Sequence, residues 1–498
     1  MDKTLKQLKE KLGIIKDLQH AAALLDWDQQ TYMPPGSIEA RSQQLSTLQS
    51  MAHDMFIDDS IGEWLDELNN HIDNLEEDDQ ALVRVTLREY NQQKRIPSSV
   101  IEELSKTTSM GISVWIEARK KNDFQMFLPH LKKIIDLNRK IADYLGYQNH
   151  PYDALLDQYE PGIITKDIDS LFEKLGNALA KLSQSFGDLG QFKNRFDGNY
   201  YPKEKQLMFG THIIRELGYD LETGRIDQSA HPFTTSFTSK DVRITTRISE
   251  SDFRPCFFGL VHEAGHGIYE QHIPFVFSRT PLGDAASLGF HESQSRFFEN
   301  IIARNPSFWM KIYPDFLEAF PEARQAGNIS DLVKYVNAVQ PSLIRVEADE
   351  VTYNLHIVIR YQLEKELIKG TMSPEHLPEQ WAELYQKYLN IKPDSDSNGV
   401  LQDIHWAAGI FGYFPTYTLG NLYSAHLLKM VEQEISPISQ IIERGNYSAL
   451  VDWFNTHLYS KGKKQLPTEL LKHICRCELS EQPFLKYLEG KYSSINSM

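Results

Sequence analysis

Apolar side chains recur at helical spacing through almost the whole of this 498-residue chain, and that regularity confines it to a mainly α fold. Leu5, Leu8, Leu12, Ile15 and Leu18 mark a first helix. Pro34-Pro35-Gly36 ends it, and Ile38, Leu45, Leu48 and Met51 mark the next. Further helices are expected around 61–93, 98–120, 124–145 and 166–187. The period fails between Gly224 and Ile248, where Val242, Ile244, Thr246 and Ile248 alternate with Asp241, Arg243, Thr245 and Arg247. That alternation predicts a β-strand, paired as a small antiparallel hairpin with residues 231–237. An exposed edge of such a hairpin suits an extended peptide, although the pattern suits plain packing on helices equally well. The spacing returns to helical after the hairpin, apart from a loop-rich stretch over 392–421. The expected organisation is one mostly helical unit over 1–498, with a helical half (1–220), the hairpin (224–248) and a second half (253–498).

Just after the hairpin stands His262-Glu263-Ala264-Gly265-His266. Residues four apart share a helix face, so the two imidazoles can converge on one metal ion with Glu263 beside it. Chance supplies about 0.04 copies of this pattern in a chain of this length. Its flanks, Phe257 to Val261 and Gly267 to Tyr269, read as a buried apolar helix. Two histidines and a glutamate placed there without partners would be costly, and a metal removes that cost. A catalytic zinc usually has three protein ligands, and Glu292, opening a helical segment after a Pro- and Gly-containing loop, fits the third place. Glu292 would otherwise only favour the positive end of its helix. His291 projects about 100° away from Glu292 and is the weaker candidate. Glu263, on the neighbouring helix position, is placed to act as general base and then general acid.

Composition excludes several classes. A net charge of −16 with no basic stripe argues against nucleic acid. No apolar run is long enough to span a bilayer, and the amphipathic start, Met1 to Lys6, has no signal-peptide core. Three cysteines give no disulfide framework. The expectation is a cytoplasmic protein with no membrane or nucleic-acid partner.

Six segments, in this order, resemble the carboxypeptidase Taq family of metallocarboxypeptidases: His231-Pro232-Phe233; Asp241-Val242-Arg243-Ile244-Thr245; His262 to His266; His291 to Arg296; Ile344-Arg345-Val346-Glu347-Ala348-Asp349; and Gly399 to Trp406, containing Gln402-Asp403-Ile404-His405. The resemblance implies a large, saddle-like helical fold similar to neurolysin and angiotensin-converting enzyme. It also implies a deep groove with residues 1–220 as one wall, a small sheet beside it, and a homodimer. The implied activity is release of single residues from peptide C-termini, with broad specificity and proline disfavoured. The implied cofactor is one divalent ion per subunit, zinc, with cobalt suiting the same ligands His262, His266 and Glu292. Arg345 then becomes the receptor of the terminal carboxylate, with Tyr417 as a hydroxyl partner, since a guanidinium fork matches a carboxylate. The plain alternative for Arg345 is an ion pair with Asp349 four residues on. His231, His405 and Tyr413 are candidate donors to the oxyanion, and Arg243 is a candidate substrate contact. Because Arg296, not an acid, stands four residues after Glu292, orientation of a metal-binding histidine falls to Asp349, Glu270 or Glu299. Competing readings are an internally cutting oligopeptidase and a catalytically silent peptide-binding protein.

Overall fold

In the computed structural model, which describes residues 1–498, the helical spacing is realised closely. The stretches expected at 98–120, 124–145 and 166–187 are helices Ser98–Lys121, Phe124–Leu145 and Thr165–Ser185. Asn122, with φ 55°, closes the first of these, and the Asp123 side chain caps the second by accepting from Met126 N. The stretch expected at 61–93 is two helices, Asp59–Asn69 and Glu77–Arg95. Asn69, Asn70, Asp73 and Asn74 lie at the break, where short polar side chains compete with the helical backbone ladder.

Contacts gather the chain into two compact units, each assembled from three stretches: 1–94, 196–329 and 427–477 form the first, and 95–195, 330–426 and 478–498 the second. Residues 1–220 therefore contribute to both. No helix is long and apolar enough to cross a membrane.

The first unit holds the sheet. Strands β1 (Gly224–Gln228), β2 (Thr234–Thr238) and β3 (Asp241–Thr246) lie in the order β1-β3-β2. The antiparallel β2–β3 pairing was expected, but β1 adds to the other side of β3 in parallel, so the sheet is mixed. β1 escapes sequence reading because Arg225, Asp227 and Gln228 leave it no apolar alternation; its buried position is Asp227, which accepts from Arg225. β3 stops at Thr246, two residues short of the expected end. Val242 and Ile244 are fully buried, and β2 and β3 both pack on helix Arg254–His272. That helix carries the histidine pair. Its opposite side is held by an aromatic cluster in which Phe257 lies 5.2 Å from Trp309 and Phe253 5.0 Å from Phe316. Each such side chain contributes roughly 1.5–3 kcal/mol on full burial, enough to keep a helix bearing charged groups in place.

The second unit is organised around helix Tyr353–Lys369, buried nearly throughout. A helix apolar on every side belongs inside a protein, yet this one also buries Asn354, His356, Arg360 and Glu364. Arg360 donates to Glu364 at 3.0 Å and lies 3.6 Å from the Trp406 ring centroid and 4.3 Å from that of Phe414. Glu364 also accepts from Tyr152 Oη (2.8 Å), Trp406 Nε1 (2.9 Å) and Gly412 N (3.3 Å), pinning the 404–414 loop at two points.

His356, 2% exposed and 2.9 Å from Tyr385 Oη, is pulled down to about 3, first by burial and then by Arg345. Its folded pKa lies below the unfolded value near 6.5, so between those values the unfolded chain binds more protons and stability rises with pH. Lowering the pH from 7 to 5 therefore costs the wild type about 2 kcal/mol at this residue alone. His356→Gln, which cannot titrate, loses correspondingly less stability over the same interval. Urea denaturation of both proteins at the two pH values checks this; equal losses would remove His356 as the source.

Candidate metal centre

Helix Leu288–Arg296 is started by Ser287, whose hydroxyl accepts from Phe290 N at 3.1 Å. The cap is thus Ser287, and Glu292, one turn further in and 6% exposed, is free for another role. This helix runs against the His262–His266 helix with no room for a side chain between them: a Cβ on Gly265 would stand 2.6 Å from Gln294 O and 2.7 Å from Ser295 Cα. Glycine at the fourth place of the motif therefore allows the approach that brings Glu292 to the histidines. Ligand atoms of His262, His266 and Glu292 all lie within 4.8 Å of one another. Glu292 Oε2 is 3.3 Å from His266 Nε2 and 3.7 Å from His262 Nε2. Zinc bonds of ~2.0–2.1 Å in a tetrahedron place neighbouring ligand atoms ~3.3–3.4 Å apart, so the donor set fits a divalent ion.

Both imidazoles are oriented from behind. His262 Nδ1 is 2.9 Å from Glu299 Oε2, and His266 Nδ1 is 3.0 Å from the His291 carbonyl oxygen, leaving Nε2 of each to face Glu292. Of Asp349, Glu270 and Glu299, only Glu299 reaches one of these two histidines. Glu270 lies 2.9 Å from His291 Nε2, and Asp349 accepts from the backbone of Gln340, Val351 and Thr352. Glu299 stands seven residues after Glu292, where the chain continues as a π-helix, Phe297–Ala303. Arg296, four residues after Glu292, donates to Glu292 Oε1 at 2.7 Å and to Glu299 at 3.3 Å, and Arg304 adds a 3.1 Å bond to Glu299. Ser295 Oγ lies 2.9 Å from Glu292 Oε2. His291 is not among the three converging groups; its ring stacks on His266 at 4.3 Å.

The electrostatics suit a cation. Burial opposes ionisation of Glu292, but Arg296 and then His262 overcome it and hold the carboxyl well below its usual range. Burial drives His266 down to about 3, with His291 adding to the shift. Burial also acts downward on His262, where Glu292 and the bond to Glu299 outweigh it and the net shift is upward. Glu263, 7% exposed, is raised by burial against the pull of His262 and Thr234; Thr234 Oγ1 donates to its Oε2 at 2.7 Å.

The remaining candidates divide between the units. In the first, His231 is exposed and precedes β2. Arg243 is paired with Asp241 at 2.8 Å, its guanidinium 4.6 Å from the Trp27 ring centroid and 5.0 Å from that of Phe237. In the second, Arg345, His405, Tyr413 and Tyr417 form one group: the Arg345 guanidinium is 5.2 Å from the Tyr417 ring, which is 5.2 Å from Tyr413, which is 5.9 Å from His405. The ion pair with Asp349 that was the plain alternative for Arg345 is absent. Arg345 instead donates through Nε and Nη2 to Asp403, at 3.1 and 2.9 Å, and through Nη1 to Tyr353 Oη at 3.0 Å. Thr234, Asp403 and Glu364 shape the site without a role legible in the sequence: Asp403 lies within the Gly399–Trp406 segment, which gives no sign of its partner, and Thr234 and Glu364 carry no local motif.

Residues 7–492 match the family model described as carboxypeptidase Taq (M32) metallopeptidase. The chain is 40% identical over 494 residues to Carboxypeptidase 1 of Bacillus subtilis, with 98% of each chain covered. It is 41% identical over 495 residues to Thermostable carboxypeptidase 1 of Thermus thermophilus, with 96% of each covered. A solved structure of Pyrococcus furiosus carboxypeptidase matches with a TM-score of 0.96 at 37% identity, over 99% of both chains.

Proposed function

This chain belongs to the carboxypeptidase Taq (M32) family of metallopeptidases, and from that premise we propose that it is a zinc metallocarboxypeptidase releasing single residues from peptide C-termini. The observation that supports this most is the convergence of His262, His266 and Glu292 with Glu263 held beside them. When bound by those three ligands, a divalent ion, zinc by the character of the donors and cobalt as its substitute, supplies Lewis-acid polarisation of the scissile carbonyl and acidifies the attacking water. Glu263 takes the proton from that water and delivers it to the departing amine nitrogen. Burial raises Glu263 above the usual carboxyl range, the direction that strengthens it as a base.

Removing one residue at a time requires a fixed cation for the terminal carboxylate, and that role is assigned to Arg345. A guanidinium has five N–H groups. Asp403 and Tyr353 engage three in Arg345, leaving one on each Nη nitrogen, the pair that suits two carboxylate oxygens. Asp403 holds the fork in orientation, and Tyr417 borders it. His231, His405 and Tyr413 are assigned as donors to the developing oxyanion, and Arg243 as a substrate contact. Broad side-chain preference with proline disfavoured completes the proposal.

Product analysis by mass spectrometry on matched peptides with free and amidated C-termini tests it. Hydrogen bonds to a charged group contribute about 1.5–3 kcal/mol each, so amidation is expected to lower kcat/KM by about 10²-fold. Free-ended peptides shorten one residue at a time, and a chelator stops the reaction until zinc or cobalt is restored. Internal cleavage at equal rates on both peptide sets would identify an oligopeptidase, and inactivity with metal present would leave only a peptide-binding role.

A further inference from the structure

We propose that Thr234 is a positioning residue for the Glu263 carboxylate. Its hydroxyl is the hydrogen-bond donor to Glu263 Oε2, at 2.7 Å, and it fixes that oxygen so that Oε1 is the atom that moves the proton. The proposal rests on the reading of Glu263 as the base.

Thr234 Oγ1 also lies 3.1 Å from the Glu263 backbone carbonyl oxygen. A hydroxyl carries one proton, and the shorter bond to a charged acceptor takes it. Without that bond a glutamate side chain has several rotamers to choose from, and ordering it into one has an entropic cost that the bond offsets. Threonine suits the task because its branched Cβ leaves few χ1 positions, so the hydroxyl is itself held.

The strand fixes where the hydroxyl points. Thr234 opens β2 and pairs with Ile244 of β3. Its register is set one residue earlier: Phe233 N donates to Thr245 Oγ1 at 2.9 Å, Thr245 N donates to Phe233 O at 2.9 Å, and Ser229 Oγ lies 2.7 Å from Thr245 Oγ1. A slip of one residue would turn the Thr234 side chain to the other face of the sheet. The sheet thereby acquires a task beyond packing: β3 anchors the lead into β2, β2 aims Thr234, and Thr234 holds the carboxylate that rises from the helix behind it.

The test compares Thr234→Val, which keeps the shape and removes the donor, with Thr234→Ser, which keeps the donor, and with Glu263→Gln, all zinc-loaded. A misplacement near 1 Å costs up to about 10²-fold in rate, so Thr234→Val is expected to lower kcat by about 10–10²-fold with KM within about twofold and a full complement of metal. Thr234→Ser is expected to stay within about threefold of wild type, as a retained donor requires. In a crystal structure of metal-free Thr234→Val, the Glu263 side chain is expected in more than one rotamer. A wild-type kcat in Thr234→Val, an equal loss in Thr234→Ser, loss of metal, or a single unchanged Glu263 rotamer would each overturn the proposal. If Glu263→Gln keeps full activity, the base assignment itself fails, a result distinct from an active Thr234→Val beside an inactive Glu263→Gln.

Discussion

Glu263→Gln lowers kcat on a free-ended peptide by about 10²–10⁴-fold, the range over which general acid–base groups act, while the protein keeps one metal ion per chain. The exchange preserves volume and one oxygen, which continues to accept from Thr234 across the 2.7 Å bond. Glu263 is not among the three converging ligand groups, so removing its charge leaves the donors of His262, His266 and Glu292 in place. An amide does not take a proton from water at neutral pH, and the loss therefore falls on kcat with KM nearly unchanged. Steady-state kinetics with metal analysis on the same preparation checks both halves. Retained zinc with near-full activity would show that another group moves the proton, and lost zinc would show that Glu263 belongs to the metal site.

Glu364→Leu, far from the histidine motif in sequence, lowers the unfolding free energy by more than about 3–5 kcal/mol, because the penalty for leaving a buried charge without its partner adds to that of the three donors, Tyr152 Oη, Trp406 Nε1 and Gly412 N, which lose their acceptor. Arg360 is 0% exposed and its Nη1 and Nη2 have no hydrogen-bond partner, so Glu364 is its one ionic acceptor. The stacking of Arg360 on Trp406 and Phe414 offsets only a part, since cation–π contacts contribute about 0.5–2 kcal/mol. Substituting Arg360→Met and Glu364→Leu together restores only some of the loss. An ion pair replaced whole by apolar groups is often close to neutral, but here Tyr152 Oη, Trp406 Nε1 and Gly412 N would be stranded. Each buried donor left unsatisfied costs about 1–3 kcal/mol, so the double variant remains below wild type. Denaturant titration of the single and double variants measures this. A single variant within about 1 kcal/mol of wild type would mean that Arg360 finds another acceptor, against the typical cost of an uncompensated buried charge.

Much of the candidate site could be read from local pattern. The His262–His266 pair follows from helical geometry, and Glu292 from the helix that opens after a Pro- and Gly-rich loop. β3 was visible because Val242 and Ile244 face a core while Asp241 and Arg243 do not. Resemblance, not pattern, singled out Arg345, and helical spacing offered Asp349 only as its plain alternative partner. Asp349 is four residues away, but Arg345 lies in a single 3₁₀ turn, Arg345–Glu347, where the helical i,i+4 neighbour relation does not apply, and Asp403 takes the fork. β1 stayed hidden because its stability comes from pairing with β3, and its own residues carry no alternation.

By itself, the amino-acid sequence determined the helices, the break that becomes the sheet, and the residue types able to hold a cation and move a proton, because each of these is written within a few turns of chain. Only the tertiary structure decided how those residues are supported. Thr234 meets Glu263 from 29 positions away, Asp403 meets Arg345 from 58, and Glu299 reaches His262 from 37, through a close helix approach that Gly265 permits. Such partners are chosen by packing, which brings together groups with no fixed spacing along the chain, and so no periodicity announces them.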